Sequence, residues 1–342
     1  MRSNITPGIS SKLGKNLHNR KNHPIEIIKR KIYGFFGEDF KKFDDLNPIV
    51  NIEDNFDKLL IPKDHPARSM SDTYYHDVDK VLRTHTSAHQ NDILTAGHRK
   101  FLVTGDVYRK DDIDASHYPV FHQMEGVAVM EDGQNAELEL KKVLSGLIDT
   151  LFPGCEYRFS NDYFPFTDPS FEVEVMFQGK WLEVLGCGIV QPKIMENCGL
   201  AGKTAWAFGL GLERLAMILF EIPDIRYFWS EDDRFIKQFE SGEMIKFKPY
   251  SSYPPIARDI AFWADVNFAH NNFCEIVRET GGDIVENVSI VDEYVHPKTG
   301  KSSKCYRMIY RSNDRTLTNE EVNEIQDSVK SISVERLKVE IR

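Results

Sequence analysis

The sequence predicts an α+β fold: an antiparallel sheet flanked by helices, followed by a ferredoxin-like domain of order βαββαβ. Two observations carry the first part. Residues 99–111 and 118–130 read as strands joined by the polar loop DDIDASH, and FEVEVMF and WLEVLGC alternate around Gln178-Gly179-Lys180 as the arms of a hairpin do. A third observation carries the second part. Past residue 255 the pattern runs strand (258–265), helix (270–280), strand (284–294), strand (304–312), helix (318–332), strand (334–341), which is the split βαβ arrangement.

The elements follow from local chemistry. Pro24 opens a helix that reaches Phe36, because a proline loses nothing at the first helical position. After a loop comes the turn-rich IPKDHPARSM. Residues 136–152 place Leu140, Val143, Leu144, Leu147, Ile148 and Leu151 at helical spacing, and Pro153-Gly154 ends that helix. Another helix runs through GLGLERLAMILFE and stops before Pro223, and a hinge is expected within 240–255. Thr318 and Glu321 have the spacing of a capping box at the start of the last helix.

The chain has 342 residues, 41% of them hydrophobic and 28% charged, enough for two or three packed domains and too structured in composition for a disordered protein. No apolar run approaches the ~20 residues that span a bilayer, so no membrane partner is expected. Five widely spaced cysteines with no CxxC argue against a disulfide framework or a cysteine zinc site. The net charge of −10 is uneven: residues 1–31 hold eight Lys/Arg against Glu26 alone, and residues 294–315 hold six against Asp314. Two basic patches on an acidic body suit a polyanion gripped at defined places. The first patch also has the composition of an organellar transit segment.

The candidate chemistry starts at TGDVYRKD, where Val107, Arg109 and Asp111 share a strand face, and at YPVFHQMEG, where Phe121, Gln123 and Glu125 do. Paired, these strands offer a guanidinium for a phosphate, a ring for a base, and an amide and carboxylate for an ammonium group. In WAFGLGLERLAMIL, Gly209 and Gly211 let a flat ligand approach the backbone, and Arg214 on the next helix reaches for a terminal phosphate.

Together these segments resemble motifs 2 and 3 of the class II aminoacyl-tRNA synthetases. HTSAHQ, FHQMEG, YFPFTDPSFE, WLEVLGCG and WAFGLGLERLAMI look like the single-chain, mitochondrial-type phenylalanyl-tRNA synthetases in particular, from about Asn16 to the end. One departure is that only EDGQN joins the second motif 2 strand to its helix, where relatives have a longer insertion. The resemblance implies a basic N-terminal arm (1–31), a class II catalytic domain with linker (32–247) and a ferredoxin-fold anticodon-binding domain (248–342). It implies ATP as co-substrate with Mg2+, and phenylalanine and tRNA(Phe) as partners. A monomer in the mitochondrial matrix is expected, with a plastid or dual location as the alternative.

The same resemblance assigns roles residue by residue. Arg109 and Arg214 would be the catalytic arginines, on the ATP α-phosphate and on the far side of the base and γ-phosphate, and Phe121 would stack on adenine. His85, Ser87, Ala88, His89 and Gln90 would surround the amino acid's polar end, and Gln123, Met124 and Glu125 its ammonium group. Ser116, His117 and Tyr118 would lie in the motif 2 loop near ATP and the tRNA 3′ end. Phe164 and Phe166 would meet the substrate ring edge to face. Glu183 would sit at the substrate site and hold Mg2+, and Ala207, Phe208 and Gly209 would line the floor. Lys301, Lys304, Arg307 and Arg311 would meet tRNA. Two other readings stay open: a catalytically silent, RNA-binding relative, and a metal hydrolase using His85 and His89 at i, i+4 with neighbouring histidines, although no HExxH is present.

Overall fold

The computed structural model describes residues 3–249, 253–297 and 301–342. The strands, in chain order, are β1 (Lys41–Phe43), β2 (Ile49–Asn51), β3 (Lys80–Leu82), β4 (Lys100–Tyr108), β5 (Val120–Val129) and β6 (Tyr157–Asp162). They continue with β7 (Thr167–Phe177), β8 (Lys180–Val190), β9 (Ala205–Gly211), β10 (Ile256–Ala264), β11 (Val285–Val295), β12 (Ser302–Tyr310) and β13 (Glu340–Ile341). The large sheet has the order β1-β4-β5-β9-β8-β7-β6; the C-terminal sheet has the order β11-β12-β10-β13; β2 and β3, far apart in sequence, pair as a small antiparallel sheet. The large sheet is antiparallel except at its edge, where the short β1 runs parallel to β4.

The hairpin of β7 and β8 turns on Gln178 and Gly179, both left-handed at φ +48° and +80°. Two left-handed central residues match the natural twist of paired strands, so the two-residue turn fixes register. On one face of the sheet pack the helices Pro24–Phe36, Ala136–Leu151 and Leu212–Phe220. Ile25, Ile28 and Ile32 join Leu140, Leu144 and Leu147 there, all fully buried beneath Met124 and Phe208. The opposite face is covered only in part, by Ile93, Leu94, Ile194 and their neighbours against Val103, Val127 and Ala207. The uncovered part of that face is where the cavity lies.

The N-terminal segment is not a free basic arm. Its helix, Pro24–Phe36, is a wall of the core, because isoleucines at positions 25, 28 and 32 repeat at helical spacing. Lys29 is buried and paired with Asp44 at 2.7 Å, and the Lys12 ammonium lies 5.1 and 4.7 Å from the ring centres of Tyr118 and Trp229. In the C-terminal domain the βαββαβ order holds, with one change of boundary. The last helix, Asn319–Leu337, carries on past residue 332 because Val322, Gln326, Val329 and Ser333 keep one buried face, which leaves only Glu340–Ile341 as strand. Thr318 Oγ1 caps this helix by accepting from the Glu321 N–H at 3.2 Å. Part of the expected hinge, residues 250–252, lies outside the described residues.

The two domains meet along the loop between β4 and β5. Ile113 accepts from the Val288 N–H at 2.9 Å, Arg278 donates to the Asp111 carbonyl at 2.9 Å, and Tyr118 donates to Asp283 at 2.6 Å. Arg226, itself forked onto Asp224, reaches the carbonyls of Asp283 and Arg311 at 2.8 and 3.0 Å.

Candidate active site

Pairing of β4 with β5 sets Val107 opposite Phe121, Gly105 opposite Gln123 and Val103 opposite Glu125. Arg109 continues the ladder by donating to the Pro119 carbonyl at 3.0 Å. Next to β5, β9 sets Gly209 opposite Glu125 and Ala207 opposite Val127. Of these, Arg109, Gln123, Glu125, Ala207 and Gly209 line a cavity of about 660 Å³, while Phe121, beside Arg109, is not among its lining residues. Its walls include His85, Ser87, Gln90, Arg109, Gln123, Glu125, Phe164, Phe166, Glu183, Ala207, Phe208 and Gly209.

Glycines make the room. A Cβ on Gly186 would sit 2.8 Å from the Phe164 ring, and one on Gly126 would overlap the Phe208 ring. A Cβ on Gly209 would meet nothing within 4 Å and would enter the open cavity. Phe164 and Phe166 lie stacked on each other, with centroids 5.8 Å apart and planes 12° apart, and so form one apolar wall. His85, also enclosed, stands 6.4 Å from the Phe166 ring.

The polar groups of the cavity are unusual for buried groups. Glu125 is 2% exposed and its Oε2 has no hydrogen-bond partner, and burial raises its pKa to about 8. Gln90 is 1% exposed and its Nε2 also lacks a partner. Both ring nitrogens of His85 are unpartnered, and burial with the nearby Arg109 charge lowers its pKa to about 3, so the ring is neutral. An unsatisfied buried polar group costs ~1–3 kcal/mol, more if charged, so a cavity lined with them is poised for a polar ligand. The Arg109 Nε donates to the Thr84 carbonyl at 2.7 Å, and its guanidinium lies 5.2 Å from the Phe121 ring centre. Among the described residues no carboxylate lies within ion-pair distance of Arg109, and burial lowers its pKa. At the rim, Arg214 and Glu183, both half-exposed, are paired at 3.1 Å.

Residues 8–239 match the family model described as "tRNA synthetases class II core domain (F)", and residues 251–342 match the ferredoxin-fold anticodon-binding domain. The chain is 53% identical to the chloroplastic/mitochondrial phenylalanine–tRNA ligase of Arabidopsis thaliana, over 99% of this chain and 83% of that one. It is 45% identical to the mitochondrial phenylalanine–tRNA ligase of Mus musculus and 44% to that of Dictyostelium discoideum, over 99% of this chain and 86% and 89% of theirs. This chain belongs to the phenylalanine–tRNA ligase family.

Several residues expected at the synthetase's substrate lie elsewhere. Met124 and Ala88 are buried in the two cores on either side of the sheet. Met124 separates Gln123 from Glu125 on a strand, and alternation turns it away from the cavity. Phe208 borders the cavity, but its ring stacks on Phe36 beneath the sheet, with centroids 5.5 Å apart. His89 is turned to Arg83, 2.9 Å away, and burial lowers its pKa to about 4. Ser116 and His117 cluster on Asp114, outside the cavity, and Tyr118 is committed to Asp283 of the C-terminal domain. Asp111 lines the cavity as its place on the strand face with Arg109 suggested; conversely, Thr84 and, from the C-terminal domain, Asn271 line it from outside every quoted motif, and Thr86 and Cys187 line it from within motifs that gave them no role. The hydrolase reading fails here: among the described residues His85 and His89 belong to no group of three metal-capable side chains.

On the C-terminal domain of the synthetase, Tyr306, Met308 and Tyr310 are fully buried and Arg307 is exposed on the other face of β12. Arg307 is forked onto Asp259 at 2.8 Å, Lys301 is paired with Glu340 at 2.9 Å, and Lys304 with Glu293. Arg311 differs: it is part-buried at the domain seam, 3.0 Å from Glu286. Lys298, in the same basic patch, lies outside the described residues.

Proposed function

We propose that this chain joins L-phenylalanine to tRNA(Phe) in two steps. The phenylalanine carboxylate attacks the ATP α-phosphorus and releases diphosphate, and the terminal ribose hydroxyl of the tRNA then takes the acyl group from the adenylate. One observation carries the amino-acid half of this reading. A buried acceptor without a partner, Glu125 Oε2, and a buried donor without a partner, Gln90 Nε2, border the same cavity as an apolar wall. A zwitterion with a ring supplies the missing partner to each and covers the wall.

The roles follow from the positions. Glu125 and Gln123 receive the ammonium group, Gln90 and Ser87 the carboxylate, and Phe164, Phe166 and Ala207 the ring. Arg109, with no carboxylate at ion-pair distance among the described residues, meets the charge that grows on the α-phosphate, and Phe121 beside it holds the base. Arg214 receives the outer phosphates. No side chain becomes a covalent nucleophile; positioning and charge stabilisation carry the reaction. Mg2+ fits the donor set, since it is commonly held by one or two carboxylates together with substrate phosphates. Glu183 is half-exposed and its charge helps raise the pKa of the neighbouring Glu172, after burial itself, so a cation there relieves a repulsion. Bound Mg2+ supplies charge neutralisation to the phosphates. The enzyme works as a monomer in mitochondria, as the names of its relatives suggest for location.

We assign residues 24–247 to catalysis, since the helix Pro24–Phe36 belongs to that core, and residues 248–342 to the anticodon. Diphosphate exchange into ATP, measured with each of the twenty amino acids, tests the proposal. Phenylalanine should drive it and tyrosine only weakly. Exchange driven equally by several unrelated amino acids, or by none, rejects it.

A further inference from the structure

We propose that Asp112, His270 and Cys274 form a binding site for Zn2+ or a transition metal of similar preference, at the seam between the two domains. His270 and Cys274 stand at i and i+4 on the helix His270–Gly281, so their side chains share a face. His270 Nε2 lies 3.2 Å from Cys274 Sγ and 3.0 Å from Asp112 Oδ1, across the domain boundary. The three ligand atoms all lie within 4.8 Å of one another, and among the described residues they are the one such group of three metal-capable side chains.

The donor set is one thiolate, one imidazole and one carboxylate, which selects Zn2+ over the hard cations that prefer oxygen alone. A tetrahedral zinc with ordinary bond lengths needs N–S and N–O separations of about 3.5 and about 3.4 Å. The present separations fall short by a few tenths of an ångström, within the reach of small rotamer changes. The other imidazole nitrogen is already held: His270 Nδ1 lies 3.0 Å from the Tyr306 hydroxyl, and the rings of the two residues stack at 5.5 Å. With Nδ1–H donating to that oxygen, the Nε2 lone pair points at the shared space, which is the outer-sphere support that metal-bound histidines have. Cys274 is buried, His270 part-buried and Asp112 exposed, so the site has a closed back and an open front through which the ion enters and on which a water completes the coordination. On binding, the thiol gives up its proton to solvent and no electron changes hands.

The site is separate from the cavity and from Glu183, since none of its three residues lines the cavity. Its position gives it an effect. Asp112 follows Asp111, which does line the cavity, and the other two ligands belong to the C-terminal domain. A bound ion therefore clips the loop between β4 and β5 to the helix His270–Gly281.

The full chain, stripped of metal with a chelator, is titrated with Co2+ as an optical probe. One equivalent should give a near-ultraviolet thiolate-to-metal band with intense visible bands, and one equivalent of Zn2+ should displace both and raise the unfolding temperature. Cys274→Ala should abolish the near-ultraviolet band, His270→Ala and Asp112→Asn should each weaken binding about tenfold or more, and Cys155→Ala should change nothing. Asp112 is on the surface, so its variant reports on the site even if a core variant fails to fold. Absence of stoichiometric binding in the unaltered chain, or binding of equal strength in Asp112→Asn, overturns the proposal.

Discussion

Arg214 Nη1 stands 3.1 Å from Glu183 Oε2 at the rim of the cavity, and both side chains are half-exposed. A pair in that setting contributes ~0–1 kcal/mol to stability, so its reason for being there is sought in the ligand rather than in the fold. Arg214→Ala should leave the unfolding temperature within about 2 °C of the parent, a shift that matches roughly 0.5 kcal/mol for a chain of this size. It should lower diphosphate exchange by roughly a hundredfold or more, as loss of one preorganised charge donor does. Arg109→Ala should lower exchange by a similar order. Arg109→Lys should not restore it, because a lysine lacks the planar fork that lies against Phe121. Exchange within threefold of the parent in either alanine variant would remove that arginine from the phosphate site.

Glu125 gives a pH prediction of definite sign. Its pKa is raised from 4.5 to about 8 by burial, against the opposing hydrogen bonds of Ser87 and Thr86. In the unfolded chain this carboxyl ionises near its ordinary value; in the folded, empty enzyme it keeps its proton up to about pH 8. The folded state thus binds the extra proton between those limits, and its contribution to stability, full at low pH, is lost as pH rises through that window. Glu125→Gln removes this loss. Relative to the parent, the variant should gain stability from about pH 5 upward, by at most ~1.4 kcal/mol per pH unit, and level off above about pH 8. Thermal unfolding of both proteins without ligand at pH 5, 7 and 9 checks this. The variant should also lose phenylalanine-dependent exchange, since a neutral amide cannot form the ion pair. A stability difference that does not change with pH would mean that Glu125 is ionised in the empty enzyme.

The alternation of strands made much of this site readable beforehand. Arg109, Phe121, Gln123 and Glu125 fall on one face by period alone, and the pairing of β4 with β5 gathers them. The same rule excludes Met124, whose place inside a motif is no guide to where its side chain points. What the sequence does not disclose is longer in range. Tyr118 lies 165 positions from Asp283, and nothing local to either residue records that they touch. Asn271 likewise enters the cavity wall only because the C-terminal helix packs on the loop after β4. The basic N-terminal stretch misled for another reason. Charge counts register Lys29 and Lys12 but not the isoleucine stripe that fastens the segment to the core.

On the proposed reading, selectivity for the ring rests on Ala207, which is 7% exposed and lines the cavity, as Phe164 and Phe166 do. Burying a phenol hydroxyl without a partner costs ~1–3 kcal/mol, so tyrosine should lose to phenylalanine by roughly ten- to a hundredfold on this ground. Ala207→Gly removes one methyl group from the floor and should let para-substituted phenylalanines drive exchange. Unchanged discrimination among such analogues would place Ala207 away from the para position of the bound ring.

The tRNA surface can be separated from the seam by comparing neighbours on one strand. Arg307 is exposed and paired with another surface group, as are Lys301 and, less openly, Lys304. Such pairs exchange readily for phosphates, because solvent already screens them. Arg311, two residues on from Ile309, is part-buried against Glu286 and beside Arg226, so its removal would loosen the domain contact as well. The clean test is therefore the triple change of Lys301, Lys304 and Arg307 to Ala, with Arg311 kept. Adenylate formation uses only the cavity, so exchange should stay within twofold of the parent. Charging of tRNA should fall, and the dependence of tRNA affinity on salt should flatten, since each lost phosphate contact leaves about one counterion unreleased. Charging and exchange lost to the same degree would make the patch structural. An unchanged salt slope would put the RNA elsewhere, with the exposed Lys15, Arg20 and Lys21 of the N-terminal stretch as the next candidates to hold it.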